Sequence, residues 1–378
     1  MKYDELFTIE NLSDSHKKAR VGRRKKQDVI DFELDLSYNL WSLYKQLKNR
    51  TYKVSGYKKF YVYEPKKREI QALSYADRVV QHNLCDLYLY PLLTSRFIYD
   101  NGACQKGKGT DFAIKRLVRF FVSQYKDVGT DGYIIKADIR KYFDNIDHEI
   151  LKQRLAGAVK DTDILGLLYG IIDSFNADTG KGIPMGNQTS QLFALYYLDP
   201  LDRYIKETLR MPYYVRYMDD IIVLCDSKQT AKQTLKQMRE IVENTLKLEF
   251  NQKTQICPSK NGVDFLGFHF YLTSSGKVIK RLRTQSKKKY KKRLKKMQTD
   301  FAEGRTELDD IKRSFAGFSG HLKRGHTFYM QKNALKNFTL IRRKETIDEK
   351  NNFNDFDYAD AVDIFADDLD YILSPNDG

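Results

Sequence analysis

Two adjacent acids close the tetrapeptide Tyr217-Met218-Asp219-Asp220. The flanking runs, Tyr213 to Val215 and Ile221 to Cys225, are apolar and β-prone, so the acids fall at the tip of a hairpin within a buried sheet. Paired acids in a loop are ordinarily solvated turn residues, and a tight hairpin tip ordinarily holds Asn-Gly or Asp-Gly. An acidic tip on an apolar hairpin calls for a ligand, and a hard divalent cation fits. Asp138 supplies a third carboxylate. It closes the strand-like run Tyr133 to Ala137 and precedes Ile139-Arg140-Lys141-Tyr142-Phe143; by itself it would read as a helix N-cap. Two metal ions about 3.5–4 Å apart can activate an attacking 3′-oxygen and steady a leaving pyrophosphate, and they need carboxylates from at least two segments. Asp138 with Asp219 and Asp220 meets that need.

The elements that must position these acids can be read from periodicity. The stretch to about Lys53 looks helical, with Ile30, Leu34, Leu36, Leu40, Leu43 and Leu47 at roughly helical spacing. A short strand, Lys59 to Tyr63, ends at Pro65. Asp77 to Leu93 reads as a helix closed near Pro91. From about 130 to 270, β-rich and helical runs alternate: Tyr133 to Ile139 as a strand, Ser190 to Leu201 as a helix, the two hairpin strands, and Phe265 to Phe270 as a further strand. Lys277 to Lys296 carries twelve Lys or Arg and no acid. Tyr290, Leu294, Met297 and Phe301 within and after it form one apolar stripe at helical spacing, which predicts a folded helix with exposed basic faces. From Asp348 onward the sign reverses, with ten acids against one Lys among interspersed aromatic residues, as in a disordered tail or a docking element.

The chain has 378 residues, 41% of them hydrophobic, which suits two or three packed subdomains and excludes global disorder. Its formal charge of +16 points to nucleic acid before an anionic membrane surface. No apolar run approaches the ~20 residues of a spanning helix. Met1 to Arg24 is charged and has no apolar signal core, so the expected location is the cytoplasm. Cys85, Cys104, Cys225 and Cys257 show no C-x-x-C spacing, which argues for reduced thiols rather than a zinc site.

Eight blocks stand in one order: Glu64-Pro65-Lys66-Lys67-Arg68; Asp77-Arg78-Val79-Val80-Gln81-His82; Lys106-Gly107-Lys108-Gly109; Asp138 to Phe143; Gly182-Ile183-Pro184-Met185-Gly186-Asn187-Gln188-Thr189-Ser190-Gln191; Tyr217 to Asp220; Lys253-Thr254; and Phe265-Leu266-Gly267-Phe268. In this order they resemble the reverse transcriptases of bacterial retroelements. The Gly186-Asn187-Gln188-Thr189-Ser190-Gln191 segment and Gly320 to Thr327 are most similar to those of diversity-generating retroelements, with group II intron-like and anti-phage defence enzymes as close neighbours. The acidic tail has no counterpart in that resemblance.

The resemblance implies an α+β, right-hand polymerase fold with fingers, an antiparallel-sheet palm and a helical thumb. Residues 1–275 would form fingers and palm, 276–345 a basic helical thumb and 346–378 an acidic tail. It further implies an RNA-directed DNA polymerase using two Mg²⁺ ions, with Mn²⁺ as a substitute, held by Asp138, Asp219, Asp220 and the backbone of Ile139. Lys66 and Arg68 would bind nucleotide phosphates. Ile139, Met185 and Gly186 would line the nucleotide site, and Phe143 would lie beneath the sugar and exclude a 2′-hydroxyl. Lys253 would protonate the departing pyrophosphate. Phe265, Leu266 and Gly267 would grip the primer end, and Lys287, Lys288, Lys291, Lys292 and Lys295 would hold nucleic-acid backbone. Plainer readings stand beside these: core packing for Phe143 and Met185, a helix cap for Ser190, an exposed side chain for Lys253 and a structural role for His82. The implied partners are a template RNA, its RNA–DNA hybrid, deoxynucleoside triphosphates and an accessory retroelement or defence protein, with no membrane. The rivals to error-prone diversity generation are a defence enzyme copying a dedicated noncoding RNA and a non-catalytic RNA-binding scaffold.

Overall fold

The computed structural model describes residues 1–63, 67–336 and 338–342. Lys66, with Glu64 and Pro65, and the acidic tail from 346 lie outside the described residues. The class is α+β, with antiparallel pairing in its hairpins and between the strands that carry Asp138 and Asp220. The chain divides into two units, residues 1–257 and 258 onward.

The first unit opens on four helices rather than one: α1 (Tyr3–Leu6), α2 (Ile9–Ala19), α3 (Gln27–Leu34) and α4 (Leu36–Lys48). Breaks at Phe7-Thr8, at the basic turn 20–26 and at Asp35 let each short helix turn its own apolar residues inward. Thr8 caps α2 by accepting the N–H of Asn11 at 3.2 Å. Leu40, Leu43 and Leu47 are buried, while Ile30 and Leu34 of the expected stripe are exposed.

Strands β1 (Tyr57–Val62) and β2 (Arg68–Leu73) form a separate hairpin. The helix expected over Asp77 to Leu93 is α5 (Tyr75–Leu84), a wide π-helical turn over Cys85–Leu89, and α6 (Tyr90–Thr94). Pro91 sits just past the π-helical turn, and the helical backbone continues through it to Thr94 instead of closing there.

A four-stranded sheet, ordered β4-β5-β3-β6, lies at the centre of the unit. It comprises β3 (Tyr133–Asp138), β4 (Tyr214–Tyr217), β5 (Asp220–Cys225) and β6 (Gln255–Pro258), preceded in the chain by α7 (Thr110–Val128). Between β3 and β4 run α8 (Tyr142–Asn145), α9 (His148–Ala156), α10 (Thr162–Asp173), α11 (Gln188–Tyr197) and α12 (Asp199–Arg203). Helix α13 (Lys228–Glu240) follows β5. Ile221 to Cys225 are all buried, because α7 and α13 both pack on this sheet. A strand covered on both faces reads as a continuous apolar run rather than an alternating one.

The second unit is a three-stranded meander, β7 (Val263–Phe265), β8 (Phe268–Leu272) and β9 (Val278–Leu282), followed by α14 (Thr284–Ala302), α15 (Leu308–Leu322) and α16 (Phe328–Leu335). The strand expected across Phe265 to Phe270 is broken. Leu266 (φ 46°) and Gly267 (φ 92°) form the two-residue loop of the β7–β8 hairpin, both in the positive-φ region such loops favour. Along α14, Tyr290, Leu294 and Met297 are buried, and Tyr290 stacks on Phe318 of α15 at 5.1 Å between ring centroids. The lysines of α14 are exposed. Among the described residues no helix is long and apolar enough to cross a membrane.

Candidate active site

The pairing of β3 with β5 sets Asp138 directly opposite Asp220. Side chains alternate across a strand, so Lys136, Asp138 and Asp220 share one face of the sheet. β4 and β5 are joined by two residues, Met218 and Asp219. Met218 takes φ 57°, a left-handed conformation costly for a bulky side chain, and the turn aims Asp219 back at Asp138. The Asp138 carboxylate lies near enough to Asp219 for its charge to bear on that group. Burial, with the Asp138 charge as the second cause, pushes the Asp219 carboxyl up to about 6. Asp220 makes an ion pair with the Lys136 ammonium.

Asp138 is clasped from the far side by the segment that ends in β6. The Asn251 side chain donates to Asp138 Oδ2 at 3.2 Å, and the Asn251 N–H donates to the Asp138 carbonyl at 2.7 Å. Thr254 Oγ1 accepts the Asp138 N–H at 3.4 Å. Ile139 pairs with Phe250 and its side chain is buried, so only its backbone is available to a ligand.

Among the described residues no three His, Cys, Asp or Glu side chains are gathered as a ready metal shell. The donors nonetheless fit a divalent cation. Asp138 and Asp219 press two oxygen-donor carboxyls together, an arrangement that costs free energy until a proton or a cation neutralises it. Asp220 joins that set only if its pair with Lys136 opens.

The remaining candidate residues fall in two groups. In the first unit, Phe143 is half-buried one residue after Tyr142, with ring centroids 5.7 Å apart, and its carbonyl accepts the Ile183 N–H at 2.9 Å. That bond ties the segment after Asp138 to the Met185–Gly186 loop. Gly186 has φ 105°, which an L side chain rarely adopts, and a Cβ there would meet Ile70 of β2 at 3.4 Å. Met185 is half-buried, Arg68 is exposed at the start of β2, and Lys253 is exposed with its N–H donated to Asn251 Oδ1 at 3.1 Å. Two bonds join the start of α11 to α5 and the π-helical turn after it: Thr189 to Gln81 at 2.9 Å and Gln188 to Asp86 at 2.7 Å.

In the second unit, Phe265 is buried and Leu266-Gly267 is the hairpin tip. A Cβ on Gly267 would approach the His321 ring to 3.2 Å. Lys287, Lys288, Lys291 and Lys295 line one side of a groove of about 770 Å³ between α14 and α16, with Tyr329 and Met330 opposite. Lys292 is exposed on the same helix.

Sequence reasoning missed three residues here. Lys136 and Arg216 look like ordinary polar positions of β strands, yet Lys136 ion-pairs with Asp220 and Arg216 is fully buried on Asp202. Asn251, two residues before Lys253, was overlooked beside that lysine. The available signal for Arg216 was a charge inside an otherwise apolar strand.

A family model described as reverse transcriptase (RNA-dependent DNA polymerase) matches residues 58–270. A putative COX1/OXI3 intron 2 protein of Saccharomyces cerevisiae is 26% identical over 205 residues, 38% of this chain and 24% of that protein. The group II intron-encoded protein LtrA of Lactococcus lactis subsp. cremoris is 22% identical over 304 residues, 61% of this chain and 49% of that protein. The chain thus spans half or less of the length of these curated relatives. Among solved structures, telomerase from Candida albicans in complex with a fragment of telomeric RNA matches at TM-score 0.49 and 11% identity, covering 81% of this chain and 61% of that one.

Proposed function

The chain belongs to the reverse transcriptase (RNA-dependent DNA polymerase) family, and from that premise we propose that it copies a partner RNA into DNA, using Asp138, Asp219 and Asp220 as its metal-binding acids. The observation that carries this reading is the closeness of the Asp138 charge to the buried Asp219, brought together from two segments at the ends of the central strands β3 and β5. A scaffold that only bound RNA would gain nothing from two carboxyls pressed into one buried contact.

Asp138, Asp219 and the Ile139 carbonyl would hold divalent cations, Mg²⁺ with Mn²⁺ as substitute, and Asp220 would join them when Lys136 withdraws. Bound there, such ions supply Lewis acidity at the primer 3′-oxygen and charge neutralisation at the leaving pyrophosphate. The chain's own residues do the rest. Asn251 and Thr254 fix the Asp138 carboxylate and backbone. Arg68, with Lys66, binds the triphosphate. Phe143 sits beneath the deoxyribose and rejects a 2′-hydroxyl. Gly186 lets backbone approach the nucleotide closely, and Lys253 delivers a proton to pyrophosphate. Phe265, Leu266 and Gly267 hold the primer end, while Lys287, Lys288, Lys291, Lys292 and Lys295 track the backbone of the RNA–DNA hybrid.

The biological setting we propose is error-prone copying for diversity generation in a bacterial cytoplasm, with an accessory protein as partner. Met185 supports it: an apolar, flexible side chain stands where a Gln amide would hold the nucleotide by hydrogen bonds. Primer extension on poly(A) with oligo(dT), dTTP and Mg²⁺ tests the activity; RNA binding without extension would favour the scaffold. A template repeat beside a variable protein gene would mark diversity generation, and its absence together with accurate copying would favour defence.

A further inference from the structure

Arg216 carries a full charge in the interior of β4, where neither it nor its partner Asp202 of α12 is exposed at all. Its guanidinium spans three elements. Nε donates to Asp202 Oδ1 at 2.7 Å, and one terminal nitrogen reaches both Asp202 Oδ2 and the carbonyl of Leu195 in α11, the latter at 3.2 Å. The other terminal nitrogen donates to the Met218 carbonyl at 2.9 Å. Tyr214 adds a hydroxyl bond to Asp202, and the Arg216 backbone is pinned by the Asp100 carbonyl at 3.1 Å and the Gly102 N–H at 2.9 Å.

Burying such a pair is not an efficient way to stabilise a core, since well-packed apolar residues do as well or better. What the planar fork alone supplies is directed bonding to several acceptors at once. One of those acceptors belongs to the Met218–Asp219 peptide. Met218 there holds φ 57° without the freedom of glycine, so its conformation must be fixed from outside. The Met218 carbonyl is the group through which the core can hold it, and Arg216 holds it. The Leu195 bond ties the same guanidinium to α11, which begins two residues after Gly186. The acidic turn and the nucleotide loop therefore share one anchor.

We propose that Arg216, backed by Asp202, is a positioning residue that fixes the Met218–Asp219 peptide so that Asp219 faces Asp138. The inference rests on the polymerase reading of the site. Arg216 touches neither substrate nor metal; it acts through the turn.

The test compares the wild type with Arg216→Lys and with the double variant Arg216→Met/Asp202→Asn, which leaves no unpaired charge buried and keeps an acceptor for Tyr214. Three quantities are read: hydrogen exchange across residues 214–222, Mg²⁺ affinity by calorimetry without nucleotide, and kcat and KM for dTTP on poly(A)/oligo(dT). Positioning predicts faster exchange at the turn, weaker Mg²⁺ binding and a kcat lower by about 10²-fold, the scale of a 1 Å misplacement, with KM for dTTP little changed. The double variant should fold as well as the wild type and still show all three defects. A folded double variant with wild-type exchange, Mg²⁺ affinity and kcat would overturn the proposal and leave the pair a packing device. Failure of the wild type to extend a primer would instead refute the polymerase reading, and exchange together with Mg²⁺ affinity would still decide the role of Arg216.

Discussion

Replacing Asp219 by Asn should stabilise the metal-free protein at neutral pH and leave it unchanged in acid. Burial and the neighbouring Asp138 charge raise the Asp219 carboxyl from 3.8 to about 6 in the folded state. Between those values the folded chain retains a proton that the unfolded chain has released. Stability therefore falls as pH rises through this window and stays low above it. Two units at 1.36 kcal/mol each set the loss at about 3 kcal/mol. Asn keeps the shape and carries no charge, so the variant should escape that loss. Urea unfolding in EDTA at intervals from pH 4 to pH 7.5 measures it. The stability gap between variant and wild type should open by up to about 3 kcal/mol, mostly between pH 4 and pH 6. Asp138→Asn removes only the second cause, the Asp138 charge, and leaves the burial of Asp219, so it should open a smaller gap. Mg²⁺ at pH 7 should recover stability in the wild type and much less in either variant. Parallel pH curves for wild type and Asp219→Asn would refute the reasoning, because burial and the Asp138 charge would then not be raising the Asp219 carboxyl.

Phe143→Ala should let the enzyme incorporate ribonucleotides if the ring sits under the sugar; unchanged discrimination in a folded variant would make Phe143 core packing. Met185→Gln should lower the error rate opposite template adenine, read by sequencing cDNA made by both enzymes on one template, and equal error spectra would remove Met185 from the fidelity argument. Reversing Lys287, Lys288, Lys291 and Lys295 to Glu should flatten the log–log salt dependence of RNA–DNA hybrid binding by about 3 to 4, since each phosphate contact contributes about 0.9 to the slope. An unchanged slope would move α14 off the nucleic acid.

The three acids were legible because their context contradicts their chemistry: carboxylates bordering apolar strands stand out in a single sequence. The β-prone runs Tyr133 to Ala137 and Ile221 to Cys225 marked the central sheet, where Ile134, Ile135, Ala137 and Ile221 to Cys225 are buried. The α14 stripe was also readable, since Tyr290, Leu294 and Met297 keep helical spacing amid lysines. Local breaks were harder. The N-terminal stretch has one apolar period but folds as four helices, because turns at Thr8, at residues 20–26 and at Asp35 interrupt it without Pro. Leu266-Gly267 sits in an unbroken apolar run, and only its backbone angles separate β7 from β8. Partners distant in sequence were out of reach. Nothing near Asp220 announces that Lys136 will face it, and nothing in the helix carrying Asp202 announces Arg216. Pairings of this kind are set by tertiary packing, which overrides the local polarity that sequence reading relies on.

Asp138 and Asp219, as proposed, form a metal-dependent polymerisation site. Primer extension on an RNA template with Mg²⁺ by Asp219→Ala, beside the wild type and a hybrid-binding measurement on both, tests it most directly. The expected result is extension by the wild type, none by the variant, and equal binding of RNA–DNA hybrid by the two. Extension by Asp219→Ala at the wild-type rate would contradict it.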